Sequence, residues 1–260
     1  MPTSALMNVM VAAVRKAGRS LARDFGEVEQ LQVSVKGPGD FVTASDHKAE
    51  KILFEELSKA RSGYGFIMEE RGEVEGPDKT HRWIVDPLDG TLNFMHGLPH
   101  FAISVALERT GDLVAGVIYN PATNDLFTAE KGKGAFLNDR RLRVANRRQL
   151  SDCLVACSKP SGGLTVSDQY AKDIANLSRQ CAGTRNQAAA ALDLAWVAAG
   201  RFDGFCHRDL SPWDIAAGIL MVREAGGFVS DYEGGTTMLE SGDVIAANAR
   251  IHKQLVGVMR

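Results

Sequence analysis

The sequence has little of what marks several large classes of protein. It holds four cysteines in 260 residues, and none form a C-x-x-C pair, which argues against a zinc knuckle or a thioredoxin-type motif. No apolar run approaches the ~20 residues that span a bilayer, and the first segment turns polar too soon for a signal peptide. The net charge of −2 shows no global basic excess that points to nucleic acid, although local basic patches remain possible. We therefore expect a cytoplasmic protein with reduced thiols, no membrane contact and no nucleic-acid partner.

The residues that are present have an ordinary globular composition, with 45% hydrophobic and 24% charged. Residues 5–25 carry apolar side chains at helical spacing. The segment TASDHKAEKILFEELSKA predicts a second helix, with Ser45 or Asp46 at its N-cap. Between Phe101 and Val144, short β-type runs separated by turn signals predict an antiparallel meander.

Beyond this meander, strand and helix candidates alternate along the chain. The segment SPWDIAAGILMVREAGG has Ser211 at the expected N-cap and Pro212 at the first helical position. Mixed sheets with helices on their faces are the architecture that such a pattern favours. We predict an N-terminal α+β half over residues 1–145 and a smaller α/β half over residues 146–260.

The candidate acidic residues are Glu69, Glu70, Asp86, Asp89 and Asp214, and four of them lie where α/β folds place functional sites. Glu69 and Asp86 each end an apolar strand candidate, Asp89 follows three residues later, and Asp214 lies in the first turn of a predicted helix. Converging carboxylates repel one another unless cations lie between them, and Mg²⁺ prefers such oxygen ligands. Asp-Pro and Asp-Gly are also common turn pairs, and Asp often begins a helix, so spacing alone leaves both interpretations open.

Three segments together resemble the inositol monophosphatase family of Mg²⁺-dependent, lithium-sensitive phosphatases. FIMEE is similar to the family's glutamate motif, and WIVDPLDGTLNF is similar to its D-P-x-D-G-T-x-N-F signature. PWDIAAGILMVREAGG is similar to its second signature, W-D-x-A-x-G followed by E-A-G-G. The similarity spans nearly the whole chain, and the bacterial inositol-1-monophosphatase branch is the most similar.

This resemblance implies a fold, an activity and an assembly. The fold is the layered αβαβα sandwich of the inositol monophosphatase and fructose-1,6-bisphosphatase (sugar phosphatase) type. The activity is hydrolysis of inositol phosphate to inositol and phosphate by two-metal activation of water, with two or three Mg²⁺ ions. A homodimer and a site between the two halves are implied as well.

The resemblance also assigns roles to individual residues. The metal ligands would be Glu69, Asp86, the carbonyl of Leu88, Asp89 and Asp214. These four carboxylates would be catalytic, together with Thr91 and Asp46, which would orient the attacking water. The residues expected to bind substrate are Leu88, Gly90, Thr91, Ala188, Ala189, Ala190, His207 and Asp214.

The sequence departs from the family pattern at three places. Met68 stands where the family usually has Gly, and we expect the adjacent glutamate to tolerate this change. His207 stands where members selective for inositol phosphate often carry Glu, and Ala188 to Ala190 replace a G-T-A or G-S-A segment. These pocket changes lead us to expect a changed or broader preference among phosphate monoesters.

Three alternatives stay open on the sequence. The chain can be a phosphatase of the same superfamily acting on histidinol phosphate, a nucleotide 3′-phosphate or a sugar phosphate. A haloacid-dehalogenase-type phosphatase would use an aspartyl nucleophile, although its two acids are spaced by two rather than three. A regulatory role in RNA processing or a transcription complex has only the basic segment RRLRVANRR, residues 140–148, as a hint.

Overall fold

The computed structural model describes residues 4–27, 33–37, 40–157 and 168–259. The helices in these ranges are α1 (Ala5–Phe25), α2 (Ala44–Ala60), α3 (Thr91–Met95), α4 (Asp168–Ser178), α5 (Ala190–Ala198), α6 (Pro212–Glu224), α7 (Met238–Ser241) and α8 (Ala249–Met259). The first strands are β1 (Val33–Gly37), β2 (Asp40–Thr43), β3 (Tyr64–Met68), β4 (Gly72–Val74), β5 (Asp78–Asp89), β6 (Ala102–Arg109), β7 (Asp112–Asn120) and β8 (Asp125–Glu130). The remaining strands are β9 (Gly134–Leu137), β10 (Arg140–Arg141), β11 (Leu154–Ala156), β12 (Gly183–Arg185), β13 (Gly204–His207), β14 (Phe228–Ser230) and β15 (Val244–Ala247).

The strands form one hairpin and two larger sheets. Strands β1 and β2 pair with each other. The eight-stranded sheet has the order β10-β9-β8-β7-β6-β5-β3-β4, and the five-stranded sheet has the order β12-β11-β13-β15-β14. Strands β6 to β9 are sequential antiparallel neighbours, which confirms the predicted meander.

The helices and sheets stack in five layers. Helices α1 and α2 pack on one face of the eight-stranded sheet. Helices α5 and α6 lie between the two sheets, and α4 and α8 cover the outer face of the five-stranded sheet. The predicted αβαβα sandwich is therefore confirmed.

The apolar run before Asp86 is explained by these layers. Successive side chains of a strand point to opposite faces of the sheet. Trp83 and Val85 belong to the buried cluster under α1 and α2, whereas Ile84 belongs to the cluster under α5 and α6. Because both faces of β5 are covered, its sequence is continuously apolar instead of alternating.

The start of α6 is as predicted, with Ser211 as the N-cap and Pro212 in the first turn. The start of α2 is different, and the predicted cap at Ser45 or Asp46 is wrong. The N-cap is Thr43, whose hydroxyl oxygen accepts from the Ser45 amide at 3.1 Å. The Asp46 carboxylate reaches back to the Thr43 amide at 3.0 Å and completes a capping box, so it serves as the third helical residue.

One cluster of buried apolar side chains contains residues from both predicted halves. Helix α6, from the second half, packs on the eight-stranded sheet of the first. The division at residue 145 stays a prediction. Within the described ranges, no helix combines the length and the apolar character that crossing a membrane requires.

Candidate active site

Strand β5 ends in a bulge that brings its two aspartates to the same side. In a regular strand Asp86 and Asp89, three residues apart, would face opposite sides of the sheet. Asp86 pairs with Ser104 of β6, but Asp89 pairs with Ala102, so three steps on β5 match two on β6. The extra residue forms a β-bulge, and because residues in the bulge are left out of the ladder, Pro87 is tolerated there although it has no N–H to donate.

Helix α6 delivers a third carboxylate to the same place. The hydroxyl of Ser104, opposite Asp86 in the sheet, donates to the Trp213 carbonyl at 3.2 Å. The next residue, Asp214, accepts a hydrogen bond from the Ser211 amide at 2.8 Å, which fixes its side chain at the start of the helix. One carboxylate oxygen from each of Asp86, Asp89 and Asp214 lies within 4.8 Å of the other two.

The electrostatics of this group favour a cation. Burial and the charges of Glu69, Asp89 and Asp214 raise the pKa of Asp86 well above its ordinary value. Burial and the charge of Asp214 likewise raise the pKa of Asp89. Clustered, buried oxygen donors with unfavourable mutual repulsion match the ligand set of a hard divalent cation, so these residues fit a metal site.

Asp89 is also bound to the amino terminus of α5. Its two carboxylate oxygens accept hydrogen bonds from the amides of Ala190, at 3.1 Å, and Ala191, at 2.8 Å. These amides are among those that a helix leaves without intrahelical partners. The first turn of α5 therefore orients Asp89 across a separation of about a hundred residues in sequence.

Glu69 lies beside this carboxylate group and is not one of its three members. It directly follows β3, and its amide donates to the Val85 carbonyl of β5 at 3.3 Å. Its charge is the largest cause after burial of the raised pKa of Asp86. The structure thus places Glu69 within electrostatic reach of Asp86.

Thr91, which is half-buried, joins the buried residues Asp46 and Leu88 in a second group. The Thr91 hydroxyl lies 3.1 Å from the Asp46 carboxylate and 3.1 Å from the Leu88 carbonyl. The hydroxyl has one proton, so it donates to one of these acceptors at a time. Asp46 is fully buried, which raises its pKa, although hydrogen bonds from Thr43 oppose this effect.

Gly90 connects the β5 bulge to α3, a five-residue helix that the sequence did not predict. Its φ of +90° favours glycine, and a Cβ there would lie 3.0 Å from the His100 carbonyl and 3.2 Å from the Cβ of Ala189. Both the turn and the close approach therefore require glycine.

The expected pocket residues are only partly brought together. Ala189 approaches Gly90, and Ala190 contacts Asp89, so both lie at the carboxylate group. Ala188 has a φ of +51° and lines a separate cavity of about 500 Å³ with Trp196.

His207 is 4% exposed and lies in β13, where its ring stacks on that of Phe205. Burial lowers its pKa to about 4. Because Nδ1 lies 2.8 Å from the Arg208 carbonyl, it carries the proton, and Nε2 is the acceptor nitrogen. The predicted pocket residue is thus neutral at pH 7.

Two contributors were missed by sequence reasoning. The α5 amides carry no side-chain signature, so nothing in A-A-A-A identifies them. Thr43 does have a signal, because T-A-S-D follows the capping-box spacing with Asp in the place of Glu.

Known proteins match this chain over nearly its whole length. The family model described as the inositol monophosphatase family matches residues 3–259. An inositol-1-monophosphatase of Mesorhizobium japonicum is 60% identical over 260 residues, which cover 100% of this chain and 98% of the relative. The Nus factor SuhB of Escherichia coli K12 is 43% identical over 255 residues, which cover 98% of this chain and 96% of the relative.

A solved structure extends the likeness to three dimensions. The crystal structure of the extragenic suppressor protein suhB from Bartonella henselae matches with a TM-score of 0.96 and 57% identity. The match covers 99% of each chain. The likeness therefore includes the helices and sheets that carry the carboxylates, as well as the motifs themselves.

Proposed function

This chain belongs to the inositol monophosphatase family, and from that premise we propose that it is a Mg²⁺-dependent phosphatase that hydrolyses inositol 1-phosphate. The observation that supports this most is the meeting of Asp86, Asp89 and Asp214 within 4.8 Å. The last of these comes from residues 146–260 and the others from residues 1–145. We accordingly propose that the active site lies between these two halves.

The proposed ligands of two or three Mg²⁺ ions are Glu69, Asp86, the Leu88 carbonyl, Asp89 and Asp214. When bound, the ions would lower the pKa of a water molecule and stabilise negative charge on the phosphoryl oxygens. The protein's part is to hold carboxylates in place before the ions arrive. Backbone amides do this for Asp86, Asp89 and Asp214, because they donate to each carboxylate.

Thr91 and Asp46 are proposed to orient the attacking water. When the Thr91 hydroxyl donates to Asp46, its oxygen is left as an acceptor for one hydrogen of a water molecule. Asp46 is itself fixed by Thr43, so the orientation does not depend on a mobile side chain. The amides of Gly90 and Thr91 are proposed to face the substrate phosphate, where glycine permits close approach.

The proposed substrate range is broader than inositol 1-phosphate. A glutamate at position 207 would accept several hydrogen bonds from sugar hydroxyls and add negative charge. Neutral His207 offers a single acceptor nitrogen, which supports weaker selection for a polyol. Ala189 and Ala190 add no polar side-chain group beside the carboxylates, and Ala188 lines a separate cavity.

The proposed assembly is a homodimer in the cytoplasm. Leu92 and Leu98 are exposed large apolar side chains, 44% and 52% exposed, and Leu98 lines the cavity with Trp196; a second copy would cover them. All four cysteines are free, which fits a reducing compartment. A sedimentation measurement that finds only monomer would contradict the homodimer.

A role in a transcription complex is the second candidate, supported by the 43% identical Nus factor SuhB of Escherichia coli. Arg140, Arg141, Arg143 and Arg148 are exposed and offer a basic surface. The ordered set of carboxylates nevertheless favours catalysis, because such a set is costly to bury without a cation. Replacing Asp86 with Ala would leave a purely regulatory role intact.

Phosphate release from a panel of monoesters tests the proposal. The panel contains inositol 1-phosphate, histidinol phosphate, a nucleotide 3′-phosphate and a sugar phosphate, each with Mg²⁺ and with EDTA. We expect Mg²⁺-dependent release from inositol 1-phosphate and from at least one other monoester. Release that is unaffected by EDTA would overturn the metal mechanism, and release from inositol 1-phosphate alone would overturn the broad preference.

A further inference from the structure

A buried carboxylate outside the proposed ligand set binds the turn that carries Glu69. Glu50 lies in α2, one helical turn after Asp46, and is 4% exposed. Its Oε2 accepts hydrogen bonds from the amides of Glu70 at 2.8 Å and Arg71 at 3.3 Å. These are the two residues that directly follow Glu69.

The turn between β3 and β4 has no regular ladder to satisfy these amides. Strand pairing resumes only at Met68 and Gly72, on either side of the turn. Glu50 supplies an acceptor for two successive amides of this partly buried turn, and backbone amides withdrawn from water require one. A charged acceptor makes such hydrogen bonds about twice as strong as neutral ones.

The side chain of Arg71 also contacts the Glu50 carboxylate. Its Nε lies 3.8 Å from Oε1 of Glu50, and its guanidinium lies 4.2 Å above the ring of Phe54. Asp46, Glu50 and Phe54 are spaced by four residues, so they follow one another along one face of α2. That face contacts Thr91 at one end and the β3–β4 turn at the other.

We propose that Glu50 is a positioning residue that fixes the β3–β4 turn and thereby holds the Glu69 carboxylate beside Asp86. The inference rests on the proposed function, in which Glu69 is a Mg²⁺ ligand. Because Asp46 and Glu50 both lie on α2, this helix would contact both the turn that carries Glu69 and the side chain of Thr91.

Two conservative variants distinguish the effect of the position of the Glu50 carboxylate from the effect of its charge. Glu50→Gln keeps the reach of the side chain and an acceptor oxygen but removes the charge. Glu50→Asp keeps the charge but withdraws the carboxylate by one methylene group. Glu50→Ala removes the acceptor, and Glu55→Ala, at an exposed glutamate of the same helix, is the matched control.

The main readout is calorimetric titration of the metal-free variants with Mg²⁺. We expect Glu50→Asp and Glu50→Ala to lower Mg²⁺ affinity by about tenfold or more, as supporting partners of metal ligands commonly do. Glu50→Gln keeps an acceptor oxygen and should lose less Mg²⁺ affinity than Glu50→Asp, and Glu55→Ala should leave the affinity unchanged. At saturating Mg²⁺ the kcat of Glu50→Asp should recover, because the lost contact is one of ligand placement.

The outcomes distinguish this inference from the function on which it rests. Unchanged Mg²⁺ affinity in Glu50→Asp, or a larger loss in Glu50→Gln than in Glu50→Asp, would overturn the positioning role. In a Glu69→Gln background, Glu50→Asp should have little further effect, and a full additional loss would also overturn it. Failure of the proposed function would show itself differently, as no Mg²⁺-dependent phosphate release by the unchanged protein.

Discussion

At the scale of the residue, His207 makes stability depend on pH. Burial lowers its pKa from 6.5 to about 4, so as pH falls the unfolded chain binds a proton before the folded protein does. Its contribution is complete above pH 6.5 and is lost as pH falls through 4, with a size of up to about 3 kcal/mol. We predict that His207→Gln reduces the fall in unfolding free energy between pH 7 and pH 4.5.

Urea denaturation at pH 7, 5.5 and 4.5 measures this effect. The matched control is His96→Gln, at an exposed histidine. A His207→Gln protein with the pH dependence of the unchanged chain would show that the buried ring does not resist protonation. The sequence identified the position through a family comparison, but only the sheet packing shows that the ring is neutral.

At the scale of the element, the first turn of α5 holds Asp89 with two amides. Ala190 is the first residue of the helix, a position that tolerates proline, and Ala189 before it has φ −148° and ψ 86°, outside the helical region that a following proline disfavours. Ala190→Pro therefore removes one amide from Asp89 while the helix can persist. Hydrogen bonds to charged groups contribute about 1.5–3 kcal/mol, so we predict Mg²⁺ affinity lower by about tenfold or more.

Titration calorimetry with Mg²⁺ measures this loss, and Ala190→Ser is the control because it keeps the amide. Circular dichroism and the melting temperature show whether α5 remains folded. A folded Ala190→Pro protein with unchanged Mg²⁺ affinity would mean that the second amide, from Ala191, is sufficient to orient Asp89.

The elements also show what the sequence can and cannot reveal. The continuous apolar run before Asp86 and the Ser211-Pro212 helix start are local signals, and the structure confirms both elements. The contact between Asp89 and Ala190 joins residues about a hundred positions apart, and backbone amides leave no mark on composition. The five-residue helix α3 is too short for periodicity to detect.

At the scale of the whole molecule, the carboxylate group is a source of instability that a bound cation would relieve. Asp86 lies on the eight-stranded sheet, and Asp214 begins the helix that packs between the two sheets. Repulsion between them therefore acts across the main packed layer of the fold. A cation bound by both residues would join these layers, and ligands that bind only the folded state stabilise it.

We predict that Asp86→Asn raises the melting temperature of the metal-free protein and abolishes both Mg²⁺-dependent stabilisation and catalysis. Asparagine keeps the shape of the side chain and an acceptor oxygen for the Leu88 amide, but it removes the buried charge.

The folded pKa of Asp86 is raised, so its ionisation costs stability as pH rises through that value, and the asparagine variant should lose less stability between pH 5 and pH 8. Calorimetric melting in EDTA and in Mg²⁺ at both pH values measures all of these effects, with Asp112→Asn, at an exposed aspartate, as the control. A metal-free Asp86→Asn protein that melts below the unchanged protein would show that the carboxylate contributes more through hydrogen bonding than it costs through repulsion.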